Sequence, residues 1–472
     1  FHSKIKKNDL KRNKNVIRKN KNKKVIRKKV IEMKFKDKYN WFIKKSGVQY
    51  KEYQYQGVKW CYEKEKDDLF LIKGGFIADE MGLGKTIMMI GLFIMSLKKR
   101  TLIVLPNILI EQWYNEILRF TRNKALLYHG KNKKKITMDD INNSRIVITS
   151  YYNISLNCFH RDKDNSLLHK IHWDRIVFDE AHHLRNKNNL YYGCLLLKSD
   201  IRWLISGTPL QNTMKDFMNL CDCLNIPASL YKNKDNYGSL VKNYVLRRTK
   251  KSVGIVLPEL KFNNKQIEWN NSKEKELSKN IHDAINLLDG GDIPKLYLYL
   301  KARQVCIFPG MLKSSISNYS SKLDIVASVI LANKNNGNGK LVFCHFHQEI
   351  DELTTRLKDG GINKICSFDG RTTQCYRNRL INEDNEVIIL QIQTGCEGLN
   401  LQKKFSEIYF VSPNWNPFIE EQAIARCHRI GQEKMVNVYR FNMCDINEDL
   451  ISMDNYILNI QNEKREIVKQ VI

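Results

Sequence analysis

The sequence is short of negative charge, of paired cysteines and of long apolar runs. Its 472 residues hold 50 Asp and Glu against 79 Lys and Arg, a formal net charge of +29. Such a shortage of acids makes a polyanion the default partner. Twelve cysteines are present, yet none form a Cys-x-x-Cys pair, and the tightest spacing is Cys221-Asp222-Cys223. That pattern argues against a zinc ribbon or finger. The scatter of the cysteines through apolar segments suits reduced, packed thiols in an intracellular protein. The longest apolar run, Ile87–Met95, is about half of the ~20 residues that a membrane span needs. No secretory signal stands at the front, and no short-period repeat appears.

What is present is concentrated. Phe1–Lys38 carries seventeen Lys and Arg against three acids, and the remaining +15 is spread over 434 residues. The front segment reads as a solvated tail or as an arm that grips DNA or directs nuclear import. The length exceeds what one core organises, so two large domains with additions are expected. Between residues 50 and 227, β-rich runs alternate with helical stretches. They are Leu69–Ile72, Thr101–Leu105, Arg145–Thr149, Arg175–Phe178 and Arg202–Ser206. This rhythm is the mark of a parallel α/β sheet with its chemistry at the C-terminal strand ends. It breaks over residues 228–320, which read as mainly helical. It resumes with Lys340–Cys344, Ile365–Phe368, Glu386–Leu390, Glu407–Val411 and Val436–Tyr439. The expected division is a basic arm over 1–45, a first α/β domain over 46–245 and a helical linker over 246–320. A second α/β domain over 321–446 and a brace helix over 447–472 follow.

Two motifs carry the chemistry. Asp79, Glu80, Met81, Gly82, Leu83, Gly84, Lys85 and Thr86 precede the apolar stretch Ile87–Met95. The glycines allow a tight backbone whose N–H groups meet phosphate, Lys85 adds charge, and Thr86 offers a hydroxyl to Mg²⁺. Asp79 stands where the strict phosphate-loop pattern has glycine. Ninety-four residues after Lys85, Asp179-Glu180-Ala181-His182 ends an apolar run. There Asp179 suits Mg²⁺, and Glu180 suits the orientation or deprotonation of water. The pair of motifs indicates nucleotide hydrolysis.

With these in register, residues from about 50 to 472 resemble the SWI/SNF-type DNA-dependent ATPases of helicase superfamily two. Gln54 matches the glutamine that reads adenine. Trp203–Asn212, with Ser206, Thr208 and Gln211, is similar to the motif coupling hydrolysis to domain movement. Gln393–Leu401, including Gly398, is similar to motif five, with Cys396 in place of a glycine common in the family. Gln422–Gln432 is similar to motif six, where Arg426 and Arg429 lie three apart and hence on one helical face. Gln112, Trp113, Tyr151, Arg247, Arg248, Asn414 and Trp415 fall in segments that the resemblance assigns to DNA contact. The Lys-, Asn- and Ile-heavy usage suggests an AT-rich genome, and compact motors of this type occur in large DNA viruses.

The resemblance implies two RecA-like domains closing on ATP and Mg²⁺. Lys85, Thr86, Asp179 and Glu180 would act from the first, with Arg426 and Arg429 reaching across from the second. The implied activity is translocation on double-stranded DNA, including nucleosomal or protein-bound duplexes, which remodels or displaces DNA-bound protein, with no membrane and no zinc. The implied place is inside the cell, in a nucleus or a viral factory. The rival readings are a strand-separating helicase, a nucleotide-dependent scaffold without productive cycling, and an RNA-directed motor.

Overall fold

The structure is a computed structural model that describes residues 34–66, 72–156, 167–207, 214–287, 292–312, 319–372, 383–395 and 401–471. Two all-parallel sheets organise the described chain. The first has seven strands: β1 (Lys73–Ile77), β2 (Thr101–Leu105), β3 (Leu126–Tyr128), β4 (Ile146–Ser150), β5 (His172–Asp179), β6 (Lys198–Ile205) and β7 (Val245–Leu246). Their order is β3-β4-β2-β5-β6-β1-β7. The second has six: β8 (Leu260–Ile267), β9 (Gly339–Cys344), β10 (Ile365–Phe368), β11 (Val387–Gln391), β12 (Phe405–Phe410) and β13 (Val436–Met443). Their order is β10-β11-β9-β12-β13-β8. No helix among the described residues is long and apolar enough to cross a membrane.

The central strands are apolar at successive positions because both faces are covered. Leu102 and Val104 join one core with Ile176 and Phe178, while Ile103 and Leu105 join the opposite core with Val177. The second sheet repeats this, with Val387 and Ile389 on one side and Ile388 and Leu390 on the other. Alternation at period two thus feeds two cores instead of one core and solvent.

Two departures from expectation concern the sheets' margins. The first strand is Lys73–Ile77 and not Leu69–Ile72; Ile72 precedes it, and residues 69–71 lie outside the described residues. The strand opens Lys-Gly-Gly, which reads as a turn in sequence. Here Gly74 sits at φ 116°, and a Cβ placed on it would meet the Arg202 carbonyl oxygen at 1.8 Å. Only a residue without a side chain lets the neighbouring strand approach so closely. Segment 246–320, expected as a helical linker, also supplies β8, which pairs with β13 from Leu260↔Val436 to Ile267↔Met443. The rest of that segment is largely helical, with helices Ser272–Leu287 and Asp292–Ile307.

A buried ion pair ties the first domain's layers together. Glu65, on the helix Glu52–Lys66, accepts from Arg175 Nε at 2.6 Å and Nη2 at 2.5 Å, and from Trp203 Nε1 at 3.0 Å. Arg175 Nη2 also donates to the Ser96 carbonyl at 2.8 Å, where the helix Lys85–Met95 ends. Both charged side chains are almost fully buried. Glu65→Ala, which strands the Arg175 charge, should lower unfolding free energy by about 3–5 kcal/mol. Urea unfolding followed by tryptophan fluorescence would measure it, and a loss below about 1 kcal/mol would contradict this role.

Candidate active site

The phosphate loop hangs between β1 and the helix Lys85–Met95. Gly82 and Gly84 take φ of 88° and 82°, so the chain turns sharply into the helix N-terminus. Gln54 Nε2 donates to the Leu83 carbonyl at 3.0 Å and pins the loop's inner face. Its Oε1 is buried with no hydrogen-bond partner among the described residues, an acceptor left over behind the loop. Lys85 Nζ donates to the Asp79 carbonyl at 2.9 Å. Burial pushes the Lys85 ammonium below its ordinary pKa, against the pull of Glu180, Asp179 and Asp79.

The acids sit at the end of β5, opposite that loop. Asp179 Oδ2 accepts from Trp113 Nε1 at 2.7 Å, and its Oδ1 accepts from the Glu180 N–H at 2.9 Å. Its main-chain carbonyl accepts from the Tyr151 hydroxyl at 2.7 Å. Burial, and then the charge of Glu180, raise the Asp179 carboxyl above the usual range. For Glu180 burial pushes upward too, but His182, Lys85 and Arg426 outweigh it and hold the carboxyl low. Glu180 has a left-handed backbone at φ 50°, uncommon for a residue with a side chain. Its Oε2 lies 3.3 Å from His182 Nδ1.

One cavity brings the two domains to these groups. Lys85, Thr86, Asp179 and Glu180 line it from the first domain, and Arg426 and Arg429 from the second. The arginines do not share a helical face: the helix Pro417–Ile424 has ended, and both project from the turn after it. The His428 N–H donates to the Ile424 carbonyl at 2.8 Å. The buried Gln432 side chain fixes the turn by donating to the Phe405 carbonyl at 3.0 Å. Arg426 Nε is buried with no hydrogen-bond partner among the described residues.

Several expected DNA contacts are occupied elsewhere. Trp113 and Tyr151 are buried and support Asp179, as above. Gln112 lines the cavity and donates to Glu116 Oε1 at 3.3 Å. Arg248 grips the fully buried Asp79 carboxylate, through Nε to Oδ1 at 3.0 Å and through Nη2 to Oδ2, and also donates to the Tyr53 carbonyl. A carboxylate buried in the phosphate loop needs a paired cation, and Arg248 is that cation. Asp79 therefore faces the linker. Asn414 is buried, and its carbonyl accepts from Gln461 Nε2 at 2.6 Å. Trp415 packs against Tyr299 and Tyr456. Both thus seat the C-terminal helix Met453–Val471. Arg247 alone of the seven stays exposed.

Gln422 lines a neighbouring cavity with His182, His183 and Arg185, not the one holding Lys85. Ser206 is buried, its N–H donating to the Ile77 carbonyl at 3.1 Å. A Cβ on the adjacent Gly207 would lie 3.0 Å from Met81 and 3.4 Å from Lys85 Nζ, so this segment abuts the phosphate loop. Thr208, Gln211 and Gly398 lie outside the described residues. Three groups escaped the sequence reading: Glu116, His182 as the partner of Glu180, and Lys250. Glu116 stands one helical turn after Gln112, and Lys250 lies 3.0 Å from Glu80. The i,i+4 spacing was the available signal for Glu116.

Magnesium fits this donor set. Thr86 and Asp179 line one cavity, and such a cation uses one or two protein oxygens beside substrate phosphates and water. No cluster of three or more His, Cys, Asp or Glu suited to a metal occurs among the described residues.

Residues 53–311 match the family model of the SNF2-related domain, and residues 321–431 match the helicase conserved C-terminal domain. The chain is 29% identical to the ISWI chromatin-remodeling complex ATPase ISW2 of Saccharomyces cerevisiae, over 85% of this chain and 39% of that protein. It is 27% identical to the ATP-dependent DNA helicase DDM1 of Arabidopsis thaliana, over 84% and 59% respectively. It is also 27% identical to the probable global transactivator of Orgyia pseudotsugata multicapsid polyhedrosis virus, over 89% and 91%. The chain thus spans 39% of the first and 59% of the second of these curated relatives. The solved Sulfolobus solfataricus SWI2/SNF2 ATPase core in complex with dsDNA aligns at 23% identity and TM-score 0.41, over 90% of this chain and 93% of that one.

Arg248→Ala should cost about 3–5 kcal/mol of stability, because it leaves Asp79 buried and unpaired. Arg248→Ala with Asp79→Asn should recover part of that loss in the same thermal and urea unfolding measurements. A loss under about 1 kcal/mol in the single variant would contradict the pairing as a requirement of the fold.

Proposed function

Because the chain belongs to the SNF2-related family, whose model matches more than half of the sequence, we propose that it is an ATP-driven translocase on double-stranded DNA. The observation that carries this reading is the single cavity where Lys85, Thr86, Asp179 and Glu180 meet Arg426 and Arg429. A nucleotide held only for binding needs no second-domain arginines; a hydrolytic site assembled by closure does.

ATP with Mg²⁺ supplies the scissile phosphoanhydride when bound. The residues then divide the work. Gln54 Oε1, buried with no partner among the described residues, would accept from an adenine donor. Lys85 offsets phosphate charge, and Thr86 and Asp179 present the oxygens for the cation. Glu180, held ionised by His182, Lys85 and Arg426, orients the attacking water and takes its proton. Arg426 and Arg429 stabilise charge that builds on the transferred group, a contribution of ~10³–10⁵ in rate for an arginine finger. Because they come from the other domain, hydrolysis is linked to domain closure.

The chain's excess of cations supports duplex DNA as the track, held by phosphate contacts that position without reading sequence. Bare, nucleosomal or protein-bound duplexes are the proposed substrates, in a nucleus or a viral replication site.

Turnover measured side by side with duplex, single-stranded and nucleosomal DNA tests the proposal. Duplex DNA should raise kcat, and the stimulation should fall steeply with added salt. Hydrolysis indifferent to DNA would sink the reading, and strand displacement by the same preparation would convert it to a helicase. Glu180→Gln should cut kcat by about 10²–10⁴ while a fluorescent ATP analogue still binds; an active variant would remove Glu180 from its role.

A further inference from the structure

The segment after β7 is bound to the phosphate loop on one side and to the arginine turn on the other. The Ala78 N–H donates to the Leu246 carbonyl and the Glu80 N–H to the Arg248 carbonyl, each at 2.8 Å, so loop and linker form a short ladder. Lys250 closes it. Its N–H donates to Glu80 Oε2 at 2.7 Å, and its ammonium lies 3.0 Å from Glu80 Oε1. The same ammonium donates to the His428 carbonyl at 3.2 Å. His428 Nε2 sits 2.8 Å from the carbonyl of Pro258, further along the linker. A Cβ built on Gly82 would meet Lys250 Cε and Arg429 Cβ, each at 3.7 Å. One side chain thus reaches from an acid of the phosphate loop to the residue beside Arg429.

We propose that Lys250 is a positioning residue for hydrolysis, a strut that fixes the spacing between the phosphate loop and the turn carrying Arg429. This rests on the reading of the cavity as a hydrolytic site. The chemistry suits lysine, because an ammonium has three donors and serves a carboxylate and a carbonyl at once. The Lys250 side chain is only 12% exposed, although that of Glu80 is 40% exposed, so the ammonium is better shielded from solvent than the carboxylate it meets. Glu80 and His428 belong to different domains, and among the described residues Lys250 bridges them directly. When the domains part, the ammonium must release the His428 carbonyl. When they close, it returns Arg429 to the same place against Gly82.

Three variants test the strut: Lys250→Met keeps the length without donors, Lys250→Arg keeps the charge, and Arg429→Ala removes what is positioned. Lys250→Met should lower DNA-stimulated kcat ~10-fold or more with KM for ATP within about twofold, since an ångström of misplacement costs on the order of 10² in rate. Lys250→Arg should recover most of the activity. Added to Arg429→Ala, Lys250→Met should cost almost nothing further, because both act through one group. Losses that multiply, or a raised KM with kcat intact, would overturn the proposal.

Hydrogen–deuterium exchange gives a readout that needs no turnover. Amides within Ile424–Gln432 should exchange faster in Lys250→Met than in the wild type, and equal exchange would overturn the strut. A wild-type chain that does not hydrolyse ATP would overturn the proposed function, and the exchange result would then decide the strut alone.

Discussion

The buried Asp79 carboxylate and the Arg248 guanidinium that grips it set the frame for the site. A charge with no exposure to water is tolerated only when it is paired and hydrogen-bonded, and this one lies inside the phosphate loop itself. The pairing draws the linker against the loop, and the main chains then bond at Ala78 and Glu80. From there the same linker runs into β8, an edge strand of the second sheet. The loop that would hold phosphate therefore stands at the joint between the two domains.

The acids of β5 are supported in a similar way. Trp113 and Tyr151 come from elements on either side of the strand, and both donate to Asp179. His182 stands beside Glu180 from the turn that follows. The two carboxyls differ in acidity: burial and then the Glu180 charge raise Asp179 against the Trp113 hydrogen bond, while burial of Glu180 is outweighed by His182, Lys85 and Arg426, which hold it low. Environments that separate neighbouring acids in this way are how adjacent carboxyls take different tasks. A cation ligand and a water-directing base are the tasks proposed for them.

Most of the residues that the motifs placed on DNA are committed within the fold, some to this centre and some to the C-terminal helix. Arg248, Trp113, Tyr151 and Asn414 are committed to buried partners. Resemblance locates a motif along the chain but does not say which way a side chain points. The exposed Arg247 next to the committed Arg248 shows the limit at its sharpest, since one residue separates opposite environments.

The apolar runs settled the sheets, because parallel strands covered on both faces leave a continuous hydrophobic signal: Thr101–Leu105, buried throughout, was legible to the residue. The glycine-rich loop and the strand-ending acids were equally legible, since phosphate and metal chemistry restricts residue type at short spacing. The Lys-Gly-Gly start of β1 was not, because its glycines answer to the nearby Arg202 carbonyl, 128 residues further along the chain. The turn bearing Arg426 and Arg429 read as a helical face, and the buried Gln432 side chain decided otherwise. The pairing of Asp79 with Arg248 and of Glu80 with Lys250 joins positions about 170 residues apart. Local pattern fixes element and motif; burial and charge pairing between distant segments exist only once the chain has closed on itself, and they decided where the motif residues point.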